Sequence, residues 1–79
     1  MDVMHEPQDS RFVLELDGHL AELDYRLSGQ DVDFSRTFVP PELRGKGVAE
    51  KLVRAGLAWA KEQQLHISAS CWYVQKFLK

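Results

Sequence analysis

A single cysteine leaves no partner for an internal disulfide, and the first ten residues hold no apolar core of the kind a secretory signal needs. A reducing, cytoplasmic setting is the expectation. Basic residues do not dominate either: 10 Lys and Arg stand against 12 Asp and Glu, and the net charge of −2 argues against a nucleic-acid binder. The hydrophobic share of 44% is ordinary for a globular chain, which speaks against both disorder and membrane spanning. The histidines, the cysteine and the acidic residues never fall into a ligand spacing, so no metal site is expected. Nothing repeats, and 79 residues make one domain with one small core, near the size at which a fold stands alone only marginally.

Proline and glycine are scarce as well, and two of the 3 prolines and two of the 5 glycines fall in one run, Pro40-Pro41-Glu42-Leu43-Arg44-Gly45-Lys46-Gly47. This basic, glycine-rich loop ends a strand-like segment and opens a helix that has no side-chain cap. The first N–H groups of a helix have no intrahelical partner, the macrodipole adds partial positive charge, and glycines let a phosphate approach the backbone. Positive charge is local here, at Arg44, Lys46, Lys51 and Arg54. Two familiar phosphate motifs fail. No glycine stands where a Walker loop requires one before Gly-Lys-Ser/Thr, and Gly45-Lys46-Gly47 meets Glu50 where a dinucleotide fingerprint requires its third glycine. Arg-x-x-Gly-x-Ala does fit, as Arg44, Gly47 and Ala49.

Around that loop the pattern reads as an α+β (α/β-like) chain. Residues 1–10 are polar, carry Pro7 and lack periodicity, which reads as a flexible leader ahead of a single domain over 11–79. Phe12, Leu14 and Leu16 alternate with Arg11, Glu15 and Asp17 as a first strand, and Asp17-Gly18 is a hairpin signal. Ala21, Leu23, Tyr25 and Leu27 continue the alternation, and Ser28-Gly29-Gln30-Asp31 turns the chain into a third strand, Val32 to Val39. There Arg36 falls in the row of Val32, Phe34 and Phe38, which is costly unless a bulge re-phases the strand or the head reaches water. Ala49, Leu52, Val53, Gly56 and Ala60 stripe a helix over 48–63, and Gly56 in its interior implies a close approach to the sheet. His66 to Cys71 reads as a last strand, with Ile67, Ala69 and Cys71 on one face, and a short helix follows from Trp72. The architecture is then an antiparallel β-meander, a right-handed βαβ crossover and a short C-terminal helix. Ligands in βαβ units bind beyond the carboxyl ends of the strands, where the Gly loop and Cys71 both fall.

The loop resembles the coenzyme A pyrophosphate loop of the GNAT acetyltransferase superfamily. Thr37-Phe38-Val39-Pro40 before it, the helix after it and Ser70-Cys71-Trp72-Tyr73-Val74 are similar to the short, single-domain N-acetyltransferase subfamily. The resemblance implies a minimal GNAT-like fold that binds acetyl-CoA, with an amine-bearing small molecule or protein as acceptor. It implies pyrophosphate on the amides of Arg44, Gly45, Lys46, Gly47, Val48, Ala49 and Glu50, and pantetheine along Phe38 and Val39. Cys71 and Tyr73 are the implied catalytic side chains. Tyr73 would protonate the departing thiolate after direct amine attack, the favoured route; in the alternative Cys71 is itself acetylated. Relatives often carry a histidine where this chain has Arg36, so a base role there is absent or falls to a water, Glu22 or Asp24. A full-length member has a strand and two helices ahead of the meander, for which this chain is short, leaving the acceptor side open or completed by another subunit.

Ordinary readings stand beside these. Cys71 can be a small buried hydrophobe, Tyr73 a cover over the core, Trp59 and Trp72 packing, His5 part of the leader, and His19 and His66 solvated. The competing function is a non-catalytic coenzyme A or phosphate-binding module. A pure interaction domain is a third reading, in which the sheet edge and the C-terminal aromatics support a homodimer.

Overall fold

The computed structural model describes residues 2–78. Alternating apolar residues build five strands, β1 (Val3–Glu6), β2 (Arg11–Leu16), β3 (His19–Ser28), β4 (Asp31–Phe38) and β5 (His66–Ala69), joined in one sheet in sequence order. The first four are antiparallel, and β5 lies parallel to β4. The crossover between those two is α1 (Val48–Glu62), and α2 (Trp72–Gln75) follows β5. Helix α1 buries Val48, Leu52, Val53, Gly56 and Ala60 against Leu14, Leu23, Val32 and Phe34 of the sheet. Ala49, assigned to that stripe, is only half-buried. At Gly56 helix and sheet approach closely: a Cβ there would stand 2.9 Å from both Leu23 Cδ2 and Phe34 Cε1.

The N-terminal segment corrects the expectation of a loose leader. Val3–Glu6 pairs with β2, with His5 opposite Phe12, and Pro7–Asp9 forms a 3-10 turn. A short strand with one apolar residue in two escapes a periodicity search, yet its pairing is held from the side. The His5 ring stacks on Phe12 at 4.1 Å, meets the edge of Trp59 at 4.9 Å, and shares a 2.6 Å hydrogen bond with the Tyr25 hydroxyl. His5 is therefore not solvated, and burial lowers its pKa from 6.5. The folded state disfavours the imidazolium, so this contribution is fully present above pH 6.5 and is lost as pH falls through the lower folded value. We expect thermal stability to decline between about pH 7 and about pH 5, with a shallower decline in His5→Phe; parallel curves for the two proteins would contradict it.

β4 carries a bulge, one of the two outcomes left open by Arg36. Asp24 of β3 pairs with Arg36 but Tyr25 pairs with Phe34, which leaves Ser35 as the extra residue. Val32 and Phe34 stay in the core, while Arg36 and Phe38 are carried to the outer face. Phe38 thus leaves the apolar row assigned to it. Arg36 lies 3.1 Å from Asp24 and 3.4 Å from Glu22, with its guanidinium 5.3 Å from the Phe38 ring centroid.

Candidate active site

After β4, Pro41–Leu43 makes a 3-10 turn whose Leu43 is buried, anchoring a loop that must reverse toward α1. Gly45 and Gly47 complete the reversal at φ 80° and 74°, the left-handed region where a side chain would add strain. Gly47 is the N-cap of α1 and no side chain caps the helix. The first hydrogen bond here runs from the Lys51 N–H to the Gly47 carbonyl, so the amides of Val48, Ala49 and Glu50 have no partner within the helix. A Cβ on either glycine would meet nothing within 4 Å. Bare amides, partial positive charge and open space make a seat for an anion.

A groove of about 220 Å³ lies over this seat, and it gathers Val39, Arg44, Gly45, Gly47, Val48, Ala49 and Glu50 with Tyr73. Loop and C-terminal helix, distant in sequence, thus form one site. Arg44 turns its Nε to the Val39 carbonyl at 3.3 Å, and Glu50 is held by Arg54 at 2.7 Å. Lys46 and Phe38 stand outside the lining. The Lys46 ammonium lies 4.0 Å from Asp17, and Phe38 presents its ring to the outer face.

Cys71 lies at the junction of the parallel strands. β5 stops at Ala69 rather than at Cys71, because its pairing with β4 ends at Phe34, where the bulge begins. Residues 35–38 of β4 run on with no β5 residue beside them, an unpaired backbone edge leading toward the loop. The Cys71 N–H donates to the Phe34 carbonyl at 3.0 Å, and Sγ lies 3.4 Å from the Thr37 hydroxyl. Burial pushes the thiol up. The Thr37 hydroxyl and the N–H groups of Val74, Tyr73 and Thr37 outweigh it, leaving the thiol below its ordinary value. Thr37 as the thiol's partner was not identified from the sequence; the bulge, which turns Thr37 inward, was the available signal.

Tyr73 packs on Phe77, with ring centroids 5.4 Å apart. Trp59 packs among His5, Phe12 and Tyr25, whereas Trp72 does not pack: it is 75% exposed, with the Lys76 ammonium 4.6 Å over its ring. His66 is solvated beside Asp31, and His19 stands 3.7 Å from Glu42. Glu22 and Asp24 lie on the outer face and line no part of the groove. The hydrogen bond with Asp24, then burial, raises the Glu22 carboxyl above the usual range, against the pull of Arg36.

Comparison with known proteins accords with this geometry. Residues 11–79 match the family described as GCN5-related N-acetyl-transferase. Protein NATD1 of Bos taurus is 38% identical over 80 residues, covering 98% of this chain and 71% of its own length. Protein NATD1 of Mus musculus is also 38% identical over 80 residues, with 98% and 73% covered. The NMR solution structure of a GCN5-like protein from Staphylococcus aureus superposes with a TM-score of 0.74 at 31% identity, covering 98% of this chain and 76% of that one.

Proposed function

The chain belongs to the GCN5-related N-acetyltransferase family, and on that premise we propose that it transfers an acetyl group from acetyl-CoA to a primary amine by direct attack. The observation that carries this reading is the groove in which the free amides of Val48, Ala49 and Glu50, two open glycines and Tyr73 meet. The residues fit the cosubstrate in its parts. The amides suit a pyrophosphate, and the unpaired edge of β4, residues 35–38 with Val39 beyond, offers backbone groups to a pantetheine amide.

Acetyl-CoA supplies an activated thioester carbonyl. The chain's own task is to hold that carbonyl where β4 and β5 part, to receive the developing oxyanion on a backbone N–H, and to return a proton to the departing sulfur. Tyr73 lines the groove from the β5 side and is assigned that last role. The substrate class is an amine-bearing small molecule or protein.

A second route has a specific observation in its favour, the lowered Cys71 thiol 3.4 Å from Thr37. Acetylation of Cys71 would split the transfer into two steps. Turnover of Cys71→Ala separates the two routes. Direct attack predicts activity within about threefold of the parent, while Tyr73→Phe falls by roughly 10²-fold, the usual size of a proton-transfer contribution. Loss of activity in Cys71→Ala with its melting temperature preserved would overturn direct attack in favour of the acetyl-enzyme.

A further inference from the structure

The outer face of the sheet carries a groove of about 380 Å³ at its β1 side, lined by Asp2, Met4, Glu6, Val13, Glu15 and Leu20. Its lining is one-sided, with three carboxylates, three apolar side chains and no cation. The pleat accounts for the set. Met4 pairs with Val13 and Leu20 with Glu15, so these side chains rise on the face opposite the core residues Phe12, Leu14, Ala21 and Leu23. Val13 is buried yet stands apart from that core, while Met4 is 63% and Leu20 43% exposed.

β1 is also an edge of the sheet. Its outer side presents backbone N–H and C=O groups with no strand beside them, and the usual guards are missing: Val3–Glu6 holds no lysine and no proline, and its pairing with β2 has no bulge. An open edge beside exposed apolar side chains is the setting for a strand added from outside, and charge decides whose. Antiparallel pairing of β1 with a second copy, centred on Met4, sets Asp2 of one chain opposite Glu6 of the other at both ends, where like charges repel. Centring it on His5 sets Met4 against Glu6 and loses the apolar contact. Glu6 has Arg11 at 2.7 Å, whereas Asp2 and Glu15 make no ion pair among the described residues. A cationic strand meets attraction at the positions where a second copy meets repulsion.

We propose that β1 and this groove bind an extended basic segment of another protein, which joins the sheet as a sixth strand. Residues directly opposite on neighbouring strands share a face, and every second residue along a strand returns to it. The positions facing Asp2, Met4 and Glu6 therefore call for a cation, an aliphatic side chain and a second cation, spaced as Lys-x-Leu-x-Lys. This edge lies across the sheet from β5 and Cys71, and its occupation does not depend on the function proposed above.

Amide NMR shifts of the isotope-labelled chain, followed during titration with the peptide acetyl-Thr-Lys-Thr-Leu-Thr-Lys-Thr-amide and with its counterpart carrying Glu for Lys, test the assignment. The lysine peptide is expected to give saturable shifts that are largest at Val3–Glu6 and the groove, and the Glu peptide none. Affinity for the lysine peptide falls about three- to tenfold in the double variant Asp2→Asn, Glu15→Gln, the size of two exposed ion pairs. It vanishes in Met4→Lys, which places a cation on the edge. Equal binding of the two peptides, shifts centred elsewhere, or no saturation at millimolar peptide would overturn the proposal. So would sedimentation showing a dimer that Met4→Lys dissociates, which would give the edge to a second copy.

Discussion

Gly47→Glu abolishes binding of acetyl-CoA and coenzyme A in a calorimetric titration, against a micromolar affinity in the parent, and leaves the chain folded. The backbone at Gly47 has φ 74° and a Cβ there would meet no atom within 4 Å, so the new side chain starts into open space. Its cost to folding is that of a left-handed non-glycine residue, about 1–2 kcal/mol. Its cost to binding is far larger, because a carboxylate then stands among the amides of Val48, Ala49 and Glu50 that the phosphates need. Gly47→Ala separates the two effects, carrying the same backbone strain with no added charge, and is expected to retain most of the affinity. Equal affinity in the parent and Gly47→Glu would remove the loop from the cosubstrate site.

Gly56→Val strongly destabilises the domain, lowering its melting temperature by well over the effect of an ordinary substitution. Even a Cβ at this position approaches Leu23 Cδ2 and Phe34 Cε1 to 2.9 Å, and both side chains are fully buried, so neither has room to give. Overpacking costs typically 1–3 kcal/mol, and two further methyl groups on the branched carbon place this variant at the upper end. A small domain of this size has roughly 5–10 kcal/mol in all. The expected loss is about 10–20 °C in melting temperature at ~4–8 °C per kcal/mol. Gly56→Ala is milder, since about 1 kcal/mol of helix propensity offsets part of the collision. An unchanged melting temperature in Gly56→Val would mean that α1 does not approach the sheet as described.

Gly56 also illustrates what the sequence could reveal. A glycine inside an amphipathic stripe is unfavourable by itself, so its presence announced a close approach to the sheet, whose partners Leu23 and Phe34 only the structure supplies. Arg36 in an apolar row pointed either to a bulge or to a head placed in water, and the structure has both, a register shift beside it and a side chain that is 55% exposed. The Gly45-Lys46-Gly47 reversal and the uncapped start of α1 were legible for a similar reason: only a narrow set of backbone shapes accepts them. What escaped has a common cause. β1 is held by His5 stacking on Phe12 and bonding to Tyr25, partners that lie on two other strands, and no local period records them. The end of β5 at Ala69 follows from the bulge on β4, not from its own residues. The Thr37 contact with Cys71 and the side-chain direction of Lys46 are tertiary in the same sense.

The order of strands in the sheet bears on how the chain comes to be assembled. Every neighbouring pair from β1 to β4 is joined by a short connection and can zip up from local contacts, whereas β5 must be brought to β4 across α1, as Ser68 reaches the Val32 carbonyl from 36 residues away. That pairing closes the longest loop between neighbouring strands of the sheet, and it sits at the parting of β4 and β5, beside Cys71 and Tyr73. The corner to which catalysis is assigned is therefore also the one that depends on the longest closure in the sheet. A cosubstrate that spans β4, the glycine loop and α2 would draw its folding-linked stabilisation from that same corner.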